Sequence, residues 1–166
     1  TCFVYVFAAL APFIGIELMH MNSATYGMAN IIPSIGLISG SLCAGTLVKR
    51  YALKQLITTG VVICSLGVIA MLLTVMNNMP PLFSLFIPMM VIYFGLSFIM
   101  ANASTLAMSH VTDKAHGSAV MSFINMGLAT LVVLSLGLYT IHAMLLPMVY
   151  VLVCFFMATM TLKLAK

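Results

Sequence analysis

Leu56–Met76 reads LITTGVVICSLGVIAMLLTVM, a run without a charged residue or a proline. As an α-helix rising about 1.5 Å per residue, it spans the roughly 30 Å hydrocarbon layer of a bilayer. Only helices and closed β-barrels satisfy every backbone group inside a bilayer. A barrel strand is short and alternates apolar with polar lumen-facing residues, whereas this run is continuously apolar, so the helix is the reading. Comparable runs lie at about 3–19, 26–48, 82–108, 117–138 and 143–162, and with about 56–76 they predict six membrane-spanning helices. The breaks carry turn chemistry at Met21-Asn22-Ser23, Lys49-Arg50-Tyr51, Asn77-Asn78-Met79-Pro80-Pro81, Thr112-Asp113-Lys114 and Thr140-Ile141-His142. The expected fold class is an all-α, polytopic membrane protein forming one six-helix bundle over residues 1–166.

Composition agrees with that reading. Of 166 residues, 64% are hydrophobic and 5% charged, against about a quarter charged in soluble domains, and the mean hydropathy is +1.25. A water-soluble globule is excluded. The net charge of +4 comes from six Lys or Arg set among apolar runs, which form no stripe that could track phosphates, so nucleic acid is not an expected partner. Cys2, Cys43, Cys64 and Cys154 stand singly, without metal-ligand spacing, and read as small packing residues. The first residue is Thr, and the first apolar run starts without a basic n-region. That is unlike a signal peptide and reads as a chain opening partway through a longer one.

The basic residues fix an expected orientation. Lys49, Arg50 and Lys54 fall in the second loop, Lys114 in the fourth, and Lys163 and Lys166 at the C-terminus. With six spans all of them lie on one side, which the positive-inside rule makes cytoplasmic, together with both termini.

Within the spans, small residues mark close helix contacts, because membrane helices pair through backbone approach. Gly36, Gly40 and Ala44 repeat at a spacing of four in the second span, and Gly60, Cys64 and Gly67 share a face of the third. Pro12, Pro33, Pro88 and Pro147 are expected to kink their helices. Polar residues at membrane depth need a partner or a wet cavity. Asn30, Ser34 and Ser41 share a stripe on the second span, Asn102 and Thr105 lie on the fourth, and Ser118, Ser122 and Asn125 follow helical spacing on the fifth. Each stripe is either interhelical hydrogen bonding or the lining of a water-filled path. Glu17 is the one acidic residue within a span, and it reads as a solvated rim residue or as a proton or cation contact.

Enzymatic chemistry is not expected. His20, His110, His116 and His142 lie in loops or at helix ends and form no ligand pair, so neither a metal nor an intramembrane serine-protease site is indicated. There is no glycine-rich phosphate loop and no pair of intramembrane aspartates. No cofactor is called for, and transport or assembly is left.

The second loop reads Gly45-Thr46-Leu47-Val48-Lys49-Arg50-Tyr51-Ala52-Leu53-Lys54. It resembles the signature G-x-L-x-D-R-x-G-R-K of the major facilitator superfamily. Gly45, Leu47, Arg50 and Lys54 match, while Lys49 stands at the Asp position and Ala52 at the second Gly position. Ala11-Pro12-Phe13, Tyr26-Gly27, Gly95-Leu96-Ser97, Asn102 to Ala107 and His116-Gly117-Ser118-Ala119 look like helices seven, eight, ten and eleven of drug-efflux facilitators of the bicyclomycin-resistance and chloramphenicol-efflux type. The resemblance implies the C-terminal half of a twelve-helix fold in the inner membrane, exporting drugs or other small molecules against proton entry by alternating access. It implies a cavity lined by the first, second, fourth and fifth helices, with Phe13, Asn30, Ser34, Asn102, Ser122 and Asn125 as candidates. It also implies a cytoplasmic loop in which Gly45 permits close helix contact and the cations meet helix C-termini and lipid phosphates. The partner would be the N-terminal half or a second copy, and this half is not expected to transport alone. The alternative is a non-transporting six-span subunit or remnant that packs against a partner.

The split of basic residues generates a direct test. Reporter fusions after Lys54, Lys114 and Lys166 are expected to read cytoplasmic, and fusions near Ser23, Asn78 and His142 external. An external reading at Lys114 excludes the six-span arrangement.

Overall fold

The computed structural model describes residues 2–109, 111–136 and 145–165, with the backbone alone for 162–165. All regular structure among them is helical. In chain order the helices are α1 (Cys2–Leu18), α2 (Ser23–Leu47), α3 (Leu53–Met76), α4 (Leu82–Ser109), α5 (Lys114–Leu136) and α6 (Leu145–Ala165). Among the described residues, α2, α3, α4 and α5 are long and apolar enough to cross a bilayer, and Cys2–Leu18 and Leu145–Thr161 are shorter apolar helices. The expected turn at Thr140-Ile141-His142, along with His110 and Lys166, lies outside the described residues.

Several helices start earlier than hydropathy alone predicts, because polar caps extend them. Asn22 Oδ1 accepts the Ala24 amide at 3.0 Å and starts α2. Gln55 Oε1 accepts the Ala52 amide at 3.3 Å at the head of α3. Ahead of α5, Asp113 Oδ1 accepts the amides of Ala115 and His116 at 3.0 and 3.2 Å. Each cap satisfies donors that a helix N-terminus leaves open.

Three of the four prolines expected to kink their helices coincide with irregular turns, whereas Pro147 sits in the first turn of the regular helix α6, where a proline is tolerated. Pro12 is followed by a π turn, Phe13–Leu18. Pro88 follows the π turn Leu82–Phe86 at the head of α4, and α2 is interrupted at Asn30 just before Pro33. A proline offers no N–H and its ring crowds the carbonyl four residues back, so the backbone widens nearby.

The bundle is organised around α4. Of the apolar windows, 56% of that in α4 is buried but only 11% of that in α5. One side of α4 meets α2 and the other meets α3, which in turn packs on α6, while α1 bridges α5 and α6. These contacts depend on missing side chains. A Cβ on Gly36 would strike the Met90 carbonyl, and one on Gly40 would lie 2.5 Å from the Phe94 oxygen. Across the other seam a Cβ on Gly60 would lie 2.7 Å from the Gly95 oxygen, and one on Gly95 would lie 2.8 Å from the Gly60 oxygen. The stripes expected to bring helices together on α2 and α3 therefore do so, and both converge on α4.

Polar atoms secure the same seams. Ser97 Oγ on α4 donates to the Leu37 carbonyl of α2 at 3.0 Å, and Cys64 Sγ on α3 donates to the Ile92 carbonyl of α4 at 3.4 Å. The buried Tyr150 hydroxyl of α6 donates to the Phe3 carbonyl of α1 at 2.8 Å, with the two rings edge to face at 4.7 Å. Phe86, turned inward by its π turn, lies edge to face with Phe7 and Tyr26.

Adding a methyl group at these seams is expected to be costly. Gly36→Ala and Gly95→Ala should each lower stability by about 1–3 kcal/mol, the range of an overpacked core. Gly45→Ala and Gly127→Ala, where a Cβ meets nothing within 4 Å, should be close to neutral. Equilibrium unfolding in mixed detergent micelles measures the difference, and equal losses at all four positions would contradict the packing account.

Candidate functional site

Two connected hollows lie along the least buried helix. A cleft of about 610 Å³ opens between the end of α4 and the first half of α5, with Met108, Val111, Asp113, His116, Met121 and Asn125 on its walls. A more enclosed cavity of about 380 Å³ lies among α1, α4, α5 and α6, where Phe3, Leu96, Met100, Asn125, Phe156 and Met157 face it. Ala107, Met121 and Asn125 belong to both, so they form the waist between them. The space exists because α5 packs only loosely on α4 and reaches the bundle mainly through α1, where Tyr5 Oη meets Met126 Sδ at 3.2 Å.

Of the cavity candidates read from the sequence, Asn125 lies at this waist. Phe13, Asn30, Ser34, Asn102 and Ser122 line neither hollow. Phe13 is exposed on the π turn of α1. Asn30 is half-buried and donates from Nδ2 to the Tyr26 carbonyl at 3.3 Å. Ser34 is exposed, and its hydroxyl donates to the Asn30 carbonyl at 3.1 Å. Asn102 is buried, with Nδ2 donating to the Phe98 carbonyl of its own helix at 2.7 Å. Ser122 is exposed on α5, and Glu17 is exposed at the end of α1.

In the second loop, Arg50 and Lys54 are exposed, and Leu47 packs against the small cluster of Ala44, Leu56 and Phe98. The close helix approach expected at Gly45 is absent among the described residues, since a Cβ there meets nothing within 4 Å. The approach occurs higher on α2 at Gly36 and Gly40, because α4 crosses α2 there and presents the larger Phe98 ring near Ala44.

A histidine–carboxylate contact, charged on both sides only when the imidazole is protonated, stands at the head of α5. His116 Nδ1 lies 2.7 Å from Asp113 Oδ2 on the wall of the outer cleft. The His116 side chain and backbone amide hold the Asp113 carboxyl below its ordinary value, and the Ala115 amide adds to them. No group of three His, Cys, Asp or Glu that could hold a metal is found among the described residues.

Sequence reasoning missed three kinds of contributor. It gave no role of its own to Ser97, which binds across to α2. It overlooked Met100, Met121 and Met157, which line the inner cavity, because methionine is indistinguishable from other apolar residues in a hydropathy reading. It treated Asp113 as turn chemistry, although Asp followed three residues later by a hydrogen-bonding side chain is a recognisable cap pattern.

Comparison of the chain with protein-family models, with curated proteins and with solved structures returned no match.

The Asp113 cap has a pH dependence whose sign follows from its depressed folded value. Its contribution to α5 is complete above the carboxyl's unfolded value and is lost as pH falls through the lower folded value. Asp113→Ala is expected to lower the protection factors of the Ala115 and His116 amides at neutral pH, and acidification through the folded value lowers the same protection factors in the native protein once intrinsic rates are corrected for pH. Asp113→Asn should retain most of the protection, because its side-chain oxygen still caps the helix. Unchanged exchange in Asp113→Ala would show that the cap does not hold this end.

Proposed function

We propose that this chain is one six-helix half of a secondary transporter of the major facilitator type, with α1 and α6 also crossing the inner membrane and both termini cytoplasmic. Its activity is efflux of drugs or other small molecules coupled to proton entry, performed together with an N-terminal half or a second copy. The observation that carries this reading is the polar face of α5, where Ser118, Ser122 and Asn125 are all exposed on the least buried membrane-length helix. Ser118 Oγ donates to the Ala115 carbonyl of its own helix at 2.9 Å, but Ser122 and Asn125 make no such bond among the described residues, and at membrane depth such groups need water or a partner. A facing half that encloses a water-filled path supplies both.

A different observation favours a subunit that only packs against a partner. On α2 the hydroxyls of Ser34, Ser39 and Ser41 donate to carbonyls of their own helix at 3.1, 2.7 and 2.7 Å. These groups need no aqueous path.

Two experiments separate the readings. Expressed alone, the chain is expected to confer no drug resistance, and co-expression with a matching first half should produce it. In that assembly, with Cys2, Cys43, Cys64 and Cys154 replaced by Ala or Ser, Ser122→Cys and Asn125→Cys should react with water-soluble thiol reagents. Ile69→Cys, on the exposed apolar face of α3, should react slowly. Equally inert sites, with no resistance, would favour the packing subunit.

A further inference from the structure

We propose that the two connected hollows form a binding site for a neutral, largely apolar small molecule with one hydrogen-bonding group. The molecule enters from the α4–α5 loop and is held at Asn125. This deepens the transport reading and rests on it only for the onward movement of the ligand.

The chemistry of the walls selects the ligand. The inner cavity, about 380 Å³, has no charged residue among the described residues of its lining, and its size lies within the roughly 300–1,000 Å³ of small-molecule sites. An ammonium or carboxylate placed there would lose its hydration with no opposite charge in return. The outer cleft does hold a carboxylate, but both of its oxygens are engaged. Asp113 Oδ2 pairs with His116 at 2.7 Å, and Oδ1 accepts two amides at 3.0 and 3.2 Å.

Specificity falls to the waist. Ser104, the other polar side chain facing the inner cavity besides Asn125 and the Cys2 thiol, donates its hydroxyl to the Met100 carbonyl at 2.7 Å. Asn125 makes no hydrogen bond among the described residues, and its amide carries both donors and an acceptor. It lines both hollows, so it can bind one polar group while the rest of the ligand lies within the inner one. There the thioethers of Met100, Met121 and Met157 and the rings of Phe3 and Phe156 provide a polarizable lining that adapts to ligand shape. Such a lining selects by polarity and size more than by outline.

Photolabelling of the full chain in detergent micelles tests this. The probe is an aryl trifluoromethyl diazirine carrying a primary amide, compared with an analogue of matched size carrying a quaternary ammonium. Saturable labelling by the neutral probe is expected on the α4 and α5 segments around Met100 and Met121, at least about tenfold above the ammonium probe. Asn125→Leu should weaken apparent affinity about tenfold, the loss of one hydrogen bond to the ligand, and Asn125→Gln should restore it. Ala107→Phe, which fills the waist, should abolish saturable labelling. Should that variant fail to keep its helix content and elution volume, Ala103→Phe on the inner cavity serves the same purpose. Equal labelling by the two probes, or unsaturable labelling spread over outward residues such as Leu152 and Phe155, would overturn the proposal in favour of lipid or detergent occupancy. Export assays are read separately. Saturable labelling without export sinks the transport reading alone, and export without saturable labelling sinks this site alone.

Discussion

The structure depends on how closely the backbones of α2 and α3 can approach α4. A bilayer offers no hydrophobic gain for pairing two apolar helices, so association comes from contact dispersion and from the few polar atoms that find partners. Both operate only at short range. Gly36 and Gly40 let α2 touch the Met90 and Phe94 carbonyls, and Gly60 faces Gly95 across the α3–α4 seam. Ser97 and Cys64 then reach carbonyls on the neighbouring helix. Wider seams would lose the dispersion and both hydrogen bonds together.

The same logic explains why the hollows lie where they do. On the α5 side of α4 the residues are Met100, Ala103, Ser104 and Ala107, and the facing positions of α5 are Met121, Asn125 and Leu128. Met100 on α4 and Met121, Asn125 and Leu128 on α5 stand between the backbones, and Ala103, Ser104 and Ala107 are too small to fill the space that results. Tight packing on one flank of α4 and open space on the other are thus two outcomes of one rule applied to different side chains. Of the polar stripe on α5, Asn125 lies along this open flank, where its amide need not be buried.

What was legible in the sequence follows from which interactions are local. The helical runs can be read because hydropathy is a property of each segment, and the Gly36–Gly40 and Gly60–Gly67 stripes can be read because small residues at helical spacing have few other uses in a membrane. Which helix a stripe meets is a long-range fact, and Gly45 illustrates the limit. It is offset by one residue, about 100°, from the Gly36–Gly40–Ala44 stripe, so Ala44 packs against Phe98 of α4 while a Cβ at Gly45 meets nothing within 4 Å among the described residues. Asn102 and Asn125 illustrate it too. Both are asparagines in apolar helices, but the first folds its amide back on Phe98 while the second stands at a cavity waist. Spacing along a helix does not carry that distinction, because it depends on what the neighbouring helix leaves uncovered.

The π turns at Phe13–Leu18 and Leu82–Phe86 bear on how this chain should be aligned with others. A wide turn admits one residue more than an α-helical turn, and each residue advances an α-helix by about 100°. Everything beyond such a turn is therefore rotated relative to a straight helix of the same composition. A descendant that lost one residue within Leu82–Phe86 would regain regular hydrogen bonding, but it would swing Phe86 away from Phe7 and Tyr26. A position-by-position comparison that assumed uniform helices through such a turn would misassign every residue beyond it.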